Sequence, residues 1–248
     1  MVAKYRFAGR VAEIHSVYED VHRYCANYLT DEAPDFSVNI TQADIGYERE
    51  KSAREDIARG VRPRSFSDGY LEELAVYRKI AEIMPDYDTI LFHGSAVAVD
   101  GMGYLFTAKS GTGKSTHTRL WREYLGDRAV MVNDDKPLVK ITDSGVTVFG
   151  TPYNGKHRLG GNISVPLKAV CILSRSEENR IETAGKDLYP MLLQQVYRPA
   201  DADRMKKTLS LLDRLTDRTE LYHLWCNTDI SAAKTSYEYM TKNGSCQQ

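Results

Sequence analysis

The feature that most constrains the fold of this chain is the segment AKSGTGKS, residues 108–115, which lies between an alternating apolar run and a helical pattern. It fits the phosphate-binding pattern G-x-x-x-x-G-K-[ST], except that Ala108 replaces the first glycine. Such a loop directs backbone N–H groups and the positive end of a helix toward phosphate oxygens. The segment therefore predicts a nucleotide-binding strand, loop and helix; the alternative is an ordinary glycine-rich turn.

The residues of this loop have separate expected roles. We expect Lys114 to contact the β and γ phosphate oxygens during catalysis and Ser115 to bind Mg²⁺. Either ATP or GTP is expected as the nucleotide, because the sequence contains no recognisable motif specific for one base. The residues expected to form the nucleotide site are Ser110, Gly111, Thr112, Gly113, Lys114, Ser115 and Thr116.

Before the loop, the sequence predicts a tight antiparallel hairpin. Residues 89–92 form an apolar strand pattern, and SAVAVDGMGYLFTA then alternates around Asp100 and Gly101, a pair typical of two-residue turns. The second arm of this hairpin runs directly into the loop. Beyond the loop we expect a helix over 115–125 and a strand over 129–133.

Two neighbouring carboxylates follow that strand. Asp134 and Asp135 stand at its carboxyl end, where open α/β sheets commonly position ligand-binding groups. One carboxylate can hold Mg²⁺, while the other accepts the proton of a substrate hydroxyl during phosphoryl transfer. The alternative is a pair of aspartates that merely caps or solvates a turn.

A second glycine-rich segment, GTPYNGKHRLGGN, covers residues 150–162. We expect it to move, so that Lys156 and Arg158 close over the transferring phosphoryl group or an anionic substrate. His157 has no assigned step. The alternative is an exposed turn with incidental charge.

Composition and charge exclude several classes of function. Lys and Arg number 33 against 34 Asp and Glu, so a formal charge of -1 supplies no broad positive field for duplex nucleic acid. The four cysteines form no C-x-x-C pair, which argues against a disulfide framework or a clustered zinc site. The sequence contains neither an export signal nor an apolar stretch near the roughly 20 residues of a transmembrane helix. We expect a cytoplasmic protein without nucleic-acid or membrane partners, and self-association is left open.

We expect two domains, a small N-terminal α+β unit over 1–87 and an α/β catalytic domain over 88–248. The N-terminal unit is expected to contain strands at 5–14 and 36–40, a helix at 18–29, a charged solvated helix and connection at 42–65, and a helix from Ser67 and Asp68 to Pro85. The catalytic domain is further expected to contain strands near 145–149, 168–174 and 221–226. Apolar stripes in its last helices are interpreted as core faces.

Together these residues resemble the catalytic domain of the HPr kinase/phosphorylase group, whose nucleotide site is itself similar to that of PEP carboxykinases. The resemblance covers about residues 88–175. A hairpin before the loop is its discriminating feature, because common P-loop NTPases enter the loop from a parallel sheet. The residues that carry it are His93, Gly101, Gly103, the loop 110–115 and the pair Asp134 and Asp135.

The resemblance implies a kinase with a defined set of site residues. Lys114 and Ser115 engage nucleotide phosphate and metal. Asp134 is the catalytic base, Asp135 is a metal ligand, and His93 lies beside the two carboxylates.

Several departures from the family limit what the resemblance implies about the substrate. Ala108 stands in place of a glycine, the residues 150–162 replace the glutamate-containing segment of true HPr kinases, and the N-terminal unit differs. Neither HPr as a substrate nor phosphorylase activity is therefore implied. The stretches NDDKP, GTP-x-x-GK and SVPLKA resemble shorter HPr-kinase-like proteins, some of which phosphorylate a peptide serine in modified-peptide gene clusters.

The leading hypothesis is a kinase that phosphorylates a serine or threonine-type hydroxyl on a peptide or protein. One alternative is a kinase of a small hydroxylated metabolite such as free serine. Another is a non-catalytic protein that binds a peptide in response to nucleotide. A decarboxylating carboxykinase is disfavoured, because the chain is short and shows no counterpart of the arginines that bind oxaloacetate in those enzymes.

Overall fold

The computed structural model describes residues 1–155 and 158–242 and divides the chain into two compact units, with the division between Ile83 and Met84. The sequence had suggested a boundary at 87, after the helix that ends the first unit. The elements of this unit are β1 (Val2–Phe7), β2 (Arg10–His15), α1 (Asp20–Tyr24), β3 (Phe36–Asn39), α2 (Gln42–Ala58) and α3 (Asp68–Ile83).

Two predictions for the first unit are wrong for the same reason: each treated two shorter elements as one long element. The single strand expected over 5–14 is the hairpin of β1 and β2, because Ala8 and Gly9 adopt left-handed conformations, with φ of 49° and 76°. The helix expected over 18–29 ends at Tyr24 and is followed by a short 3-10 turn, because Leu29 pairs with Tyr5 of β1. The charged helix, α2, is confirmed.

The second unit alternates strands and helices around a large mixed sheet. Its strands are β4 (Thr89–Leu91), β5 (Gly94–Val99), β6 (Met102–Thr107), β7 (Ala129–Asn133), β8 (Leu138–Thr142), β9 (Gly145–Phe149), β10 (Ser164–Arg175), β11 (Arg180–Thr183) and β12 (Glu220–Cys226). Its helices are α4 (Lys114–Leu125), α5 (Tyr189–Leu193), α6 (Ala202–Arg218) and α7 (Ile230–Lys242).

The sheet order is β4-β8-β9-β10-β6-β5-β7, with β12 beside β10 and β11 beside β12. β5 and β6 form the predicted antiparallel hairpin, while β6 runs parallel to β10 and β10 runs parallel to β12. The α/β class is thus confirmed as a mixed sheet, and the more detailed likeness to PEP carboxykinases stays a prediction.

Apolar side chains fill both faces of this sheet. α4 and α7 contribute Trp121, Ala233 and Met240 to the core on one face. α5 and α6 contribute Leu192 and Leu212 to the core on the other. Because successive residues of a strand point to opposite faces, β10 alternates between the two cores. The helical stripes are therefore core faces, as the sequence predicted.

Two further features concern the cysteines and the helices of the described residues. Cys25 and Cys171 are buried free thiols and Cys226 is a half-buried one. None of the described helices combines the length and the apolar character that crossing a membrane requires.

Candidate functional site

Three chain segments meet at one edge of the second unit's sheet. β5 runs antiparallel to both β6 and β7, with Gly94 opposite Thr107 and Ala96 opposite Asn133. The start of β5 therefore lies between the carboxyl ends of β6 and β7. This topology brings His93, the 108–115 loop and the two aspartates to the same edge.

The 108–115 loop has the backbone of a phosphate-binding turn. Gly111 and Gly113 have φ of +80° and +132°, a conformation that side chains with a Cβ rarely adopt. Lys114 begins α4, is only 8% exposed, and donates from Nζ to the Ala108 carbonyl at 3.0 Å. Burial lowers the pKa of Lys114, and the Asp135 carboxylate opposes that shift. The lysine thus spans the loop whose ligand it is expected to contact.

An arginine from a neighbouring strand holds the outer side of this loop. Arg175, the last residue of β10, donates to the Gly111 carbonyl and, through Nε, to the Thr112 carbonyl at 3.2 Å. Sequence reasoning missed this residue, although a cation at the carboxyl end of a predicted strand was an available signal.

Asp134 is nearly enclosed, with 3% of its surface exposed. Its Oδ1 accepts a hydrogen bond from the Gly155 N–H, and its own backbone N–H donates to Asn154 Oδ1 at 3.4 Å. A Cβ on Gly155 would lie 3.1 Å from the other carboxylate oxygen. The backbone of the 150–162 segment therefore lies directly against this carboxylate.

A buried asparagine fixes the turn that carries both aspartates. The Asn133 side-chain oxygen accepts hydrogen bonds from the N–H groups of Asp135 and Lys136, at 2.9 and 2.7 Å. Its Nδ2 donates to the Thr151 hydroxyl at 3.0 Å. Sequence reasoning assigned Asn133 only to the end of a strand, because nothing local distinguishes this role.

His93 links the aspartate turn to a distant part of the chain. Its Nε2 lies 3.6 Å from Asp135 Oδ1, and its Nδ1 makes a 3.0 Å hydrogen bond with the Gln195 side chain. The His93 N–H also donates to the Gln195 carbonyl at 2.7 Å. Burial, and then the nearby Lys114 charge, lower the pKa of His93. His93 is therefore neutral at pH 7, and Gln195 is a second site residue that the sequence did not reveal.

The remaining expected site residues occupy two regions. Ser110, Thr112, Ser115 and Thr116 lie in the 108–115 loop and the first turn of α4. Arg158 is exposed, with a left-handed φ of 49° and its N–H donating to the Gly155 carbonyl. Lys156 and His157 lie outside the described residues, so the expected role of Lys156 stays a prediction.

The oxygen ligands at this edge suit magnesium. Ser115 is exposed, and the Asp135 carboxylate at the same sheet edge is partly exposed. Within residues 1–155 and 158–242, no group of three or more His, Cys, Asp or Glu side chains could hold a metal. Mg²⁺ needs no such cage, because it usually retains waters and takes one or two protein oxygens together with substrate phosphates. The donors therefore fit Mg²⁺ better than Zn²⁺.

Comparison with known proteins adds little to this description. A scan of protein-family models found no match, and a search of curated proteins found none either. Among solved structures, the Hpr(Ser) kinase/phosphatase from Coxiella burnetii aligns with 62% of this chain and 98% of its own, at 12% identity and a TM-score of 0.34. A likeness at this level carries no argument about activity, so the functional interpretation rests on the residues of the site.

Proposed function

We propose that this chain is a Mg²⁺-dependent kinase that transfers the γ-phosphate of ATP or GTP to a serine or threonine-type hydroxyl on a peptide or protein. The observation that carries the proposal is the meeting of the 108–115 loop, buried Asp134 and the pair of His93 with Asp135 at one sheet edge. A phosphate loop, a metal ligand and a base are the groups that phosphoryl transfer to an alcohol requires.

The loop residues bind and orient the nucleotide in this proposal. Lys114 exchanges the Ala108 carbonyl, its present acceptor, for the β and γ phosphate oxygens. Ser115 and Asp135 hold Mg²⁺, which neutralises charge on those phosphates when it is bound. His93 keeps the Asp135 carboxylate oriented without adding a charge of its own at neutral pH.

Asp134 acts as the base. Its carboxylate takes the proton of the acceptor hydroxyl as the new oxygen–phosphorus bond forms and the bond to the nucleoside diphosphate breaks. The Gly155 N–H and the turn fixed by Asn133 hold that carboxylate in one orientation. Because Asp134 is buried while the partly exposed Asp135 lies 3.7 Å from the Lys136 ammonium, the first is better suited to proton transfer and the second to metal binding.

The 150–162 segment is the part of the site that meets the acceptor. Gly155 contacts Asp134, and Arg158 follows three residues later on the exposed side. Arg158 and Lys156 are positively charged. They can stabilise the oxygens of the phosphoryl group during its transfer and bind acidic groups of a peptide. A flexible peptide is the favoured acceptor, because the segment is open to solvent at Arg158 and Leu159.

The roles of the two aspartates are separable by isosteric substitution. Asp134→Asn should lower the transfer rate about 100-fold to 10,000-fold, the usual contribution of a general base, with nucleotide affinity unchanged. Asp135→Asn should instead raise the Mg²⁺ concentration needed for half-maximal activity. Asp143→Asn is a matched control, because this aspartate of the same unit is 96% exposed and remote from the loop. A changed Mg²⁺ requirement confined to the Asp134 variant would exchange the two roles.

The acceptor is tested by mass spectrometry of candidate peptides and a metabolite pool after incubation with Mg²⁺ and nucleotide. We expect a phosphopeptide that depends on Asp134. A phosphorylated metabolite without a phosphopeptide would exclude the peptide and retain the kinase. Free phosphate without any acceptor product would leave only a nucleotide hydrolase or sensor.

A further inference from the structure

Three side chains at the carboxyl end of β12 form a stack that the proposed reaction does not use. The rings of His223 and Trp225 are 3.7 Å apart and nearly parallel, at an interplanar angle of 28°. The guanidinium carbon of Arg180, the cross-strand partner of Trp225 on β11, lies 3.9 Å from the Trp225 ring centre. We refer to Arg180, His223 and Trp225 as the aromatic stack.

The aromatic stack lies at the same sheet edge as the 108–115 loop. Ser174 of β10 is opposite Trp225 of β12, and the same strand pairs in parallel with β6, where Ile172 is opposite Thr107. The stack is therefore two strands from the loop, about 10 Å across the sheet. Arg175 follows Ser174 and donates to the loop carbonyls, so β10 connects the two directly.

Each member of the stack is held in place, with Trp225 between His223 and Arg180, and the Arg180 guanidinium forms the exposed face of the stack. Ser174 Oγ makes a 2.8 Å hydrogen bond with His223 Nε2, and Arg180 forms a 3.0 Å ion pair with Glu182. Trp225 is half-buried, whereas the Arg180 side chain is 62% exposed. A preorganised aromatic ring under an exposed guanidinium is the kind of surface on which nucleobases stack.

We propose that the aromatic stack binds the base of the nucleotide whose phosphates the 108–115 loop holds. This inference rests on the proposed function, because it places the second half of the same ligand. Stacking recognises the face that every base presents, so discrimination between bases is weak. ATP and GTP therefore bind with similar affinity.

The test compares calorimetric binding of Mg-ATP, Mg-GTP and Mg-tripolyphosphate, which has the phosphates but no base. Arg180→Ala should weaken both nucleotides by about 5-fold to 100-fold, the range for loss of one stacked base, and leave tripolyphosphate unchanged. Trp225→Leu, which removes the ring that supports the guanidinium, should weaken the nucleotides less, and Trp225→Phe should restore most of that loss. Arg180→Ala decides the question if Trp225→Leu fails to fold.

Arg119→Ala is the matched control for Arg180→Ala. Both arginines form exposed 3.0 Å ion pairs with a glutamate, at 58% and 62% side-chain exposure, but Arg119 has no aromatic partner among the described residues. Equal binding of ATP by the wild type and all stack variants would overturn the inference, and the stack would then be a structural cross-strand pair. Binding of tripolyphosphate in the same experiment would still support the assignment of the 108–115 loop. Failure of all three probes to bind the wild type would overturn the proposed function and this inference with it.

Discussion

Two glycine-rich segments border the candidate site, and their glycines serve opposite purposes. In the 108–115 loop, Gly111 and Gly113 have left-handed φ angles, and a Cβ at either position would meet no atom within 4 Å. In the 150–162 segment, a Cβ on Gly150 would lie 1.8 Å from the Gly161 carbonyl oxygen, and one on Gly160 would lie 2.0 Å from Asn154 Oδ1. The first loop needs glycine for its backbone conformation. The second segment needs glycine because other atoms lie so close that a Cβ would not fit.

This difference changes how the second segment can work. The Gly161 N–H donates to the Val132 carbonyl of β7, and the Gly150 N–H donates to the Ile163 carbonyl. The first bond attaches the segment to the strand that precedes the aspartates, and the second joins the segment's first residue to the residue after its last. The expectation that this segment moves stays a prediction. Among the described residues its base is held by these hydrogen bonds, and Arg158 is exposed.

The largest effect on stability is expected for Gly150→Ala. The added methyl group would collide with the backbone oxygens of Gly161 and Val132, which cannot move without separating the segment from β7. We expect a loss of about 3 kcal/mol in the free energy of unfolding. Urea unfolding followed by tryptophan fluorescence measures it, because Trp121 and Trp225 both lie in the second unit.

Gly161→Ala is the control within the same segment. The nearest atom to its added Cβ, Ile163 Cγ2, is 4.0 Å away. Its cost should be under about 0.5 kcal/mol, the usual range for substitutions away from special contacts. Equal losses for the two variants would contradict the close-approach explanation.

The free energy of unfolding should fall in acid because of a histidine in α4, the helix that follows the 108–115 loop. His117 of α4 is buried beside Trp121, makes a 3.1 Å hydrogen bond with Ser236, and has its pKa lowered by burial to about 3. The unfolded chain binds this proton below an ordinary pKa of about 6.5, so stability falls as the pH drops from there toward 3. His117 should account for a loss of about 2 to 3 kcal/mol between pH 7 and pH 4.5.

The same unfolding experiment at the two pH values isolates this contribution. His117→Gln keeps a hydrogen-bonding group near Ser236 but cannot titrate, so its stability should depend less on pH by that amount. An identical pH dependence in wild type and variant would show that the anchoring of α4 does not require a neutral histidine.

Apart from the Gly161→Ala control, the smallest expected effect is that of Gly111→Ala. Space is available for the methyl group, so the cost is the left-handed backbone alone, about 1 to 2 kcal/mol. Gly111→Asn should cost less, because asparagine tolerates this conformation better. Urea unfolding measures the cost of both substitutions. An alanine variant as stable as wild type would remove the distinction between the two segments.

Local patterns were sufficient to predict much of the second unit. The Asp100 and Gly101 turn, with φ of 51° and 81°, fixed the hairpin, and the strand Ala129–Asn133 has the bounds that its apolar run predicted. The strand β8 was missed, although residues 139–142 alternate between apolar and polar side chains. It forms a local hairpin with β9, but its pairing with β4 joins residues about fifty positions apart, and short strands are defined largely by such neighbours.

Some residues of the candidate site could likewise be predicted from local motifs, and others could not. The loop and the aspartate pair are contiguous motifs, so their residues could be identified from spacing alone. Gln195, Arg175 and Asn133 belong to no motif and act through contacts with residues far away in the sequence or buried beneath the turn. The contacts of the folded chain identify all three, although the position of Arg175 at a strand end was a signal in the sequence.

The bond between His93 and Gln195 joins residues 102 positions apart. In addition, β6 acquires its second partner, β10, only after about sixty further residues have been added. During synthesis the loop's strand therefore emerges with one edge unpaired, and contacts of such high sequence separation form slowly. Before folding is complete, the strand that carries the phosphate loop is consequently exposed to aggregation through its unpaired edge.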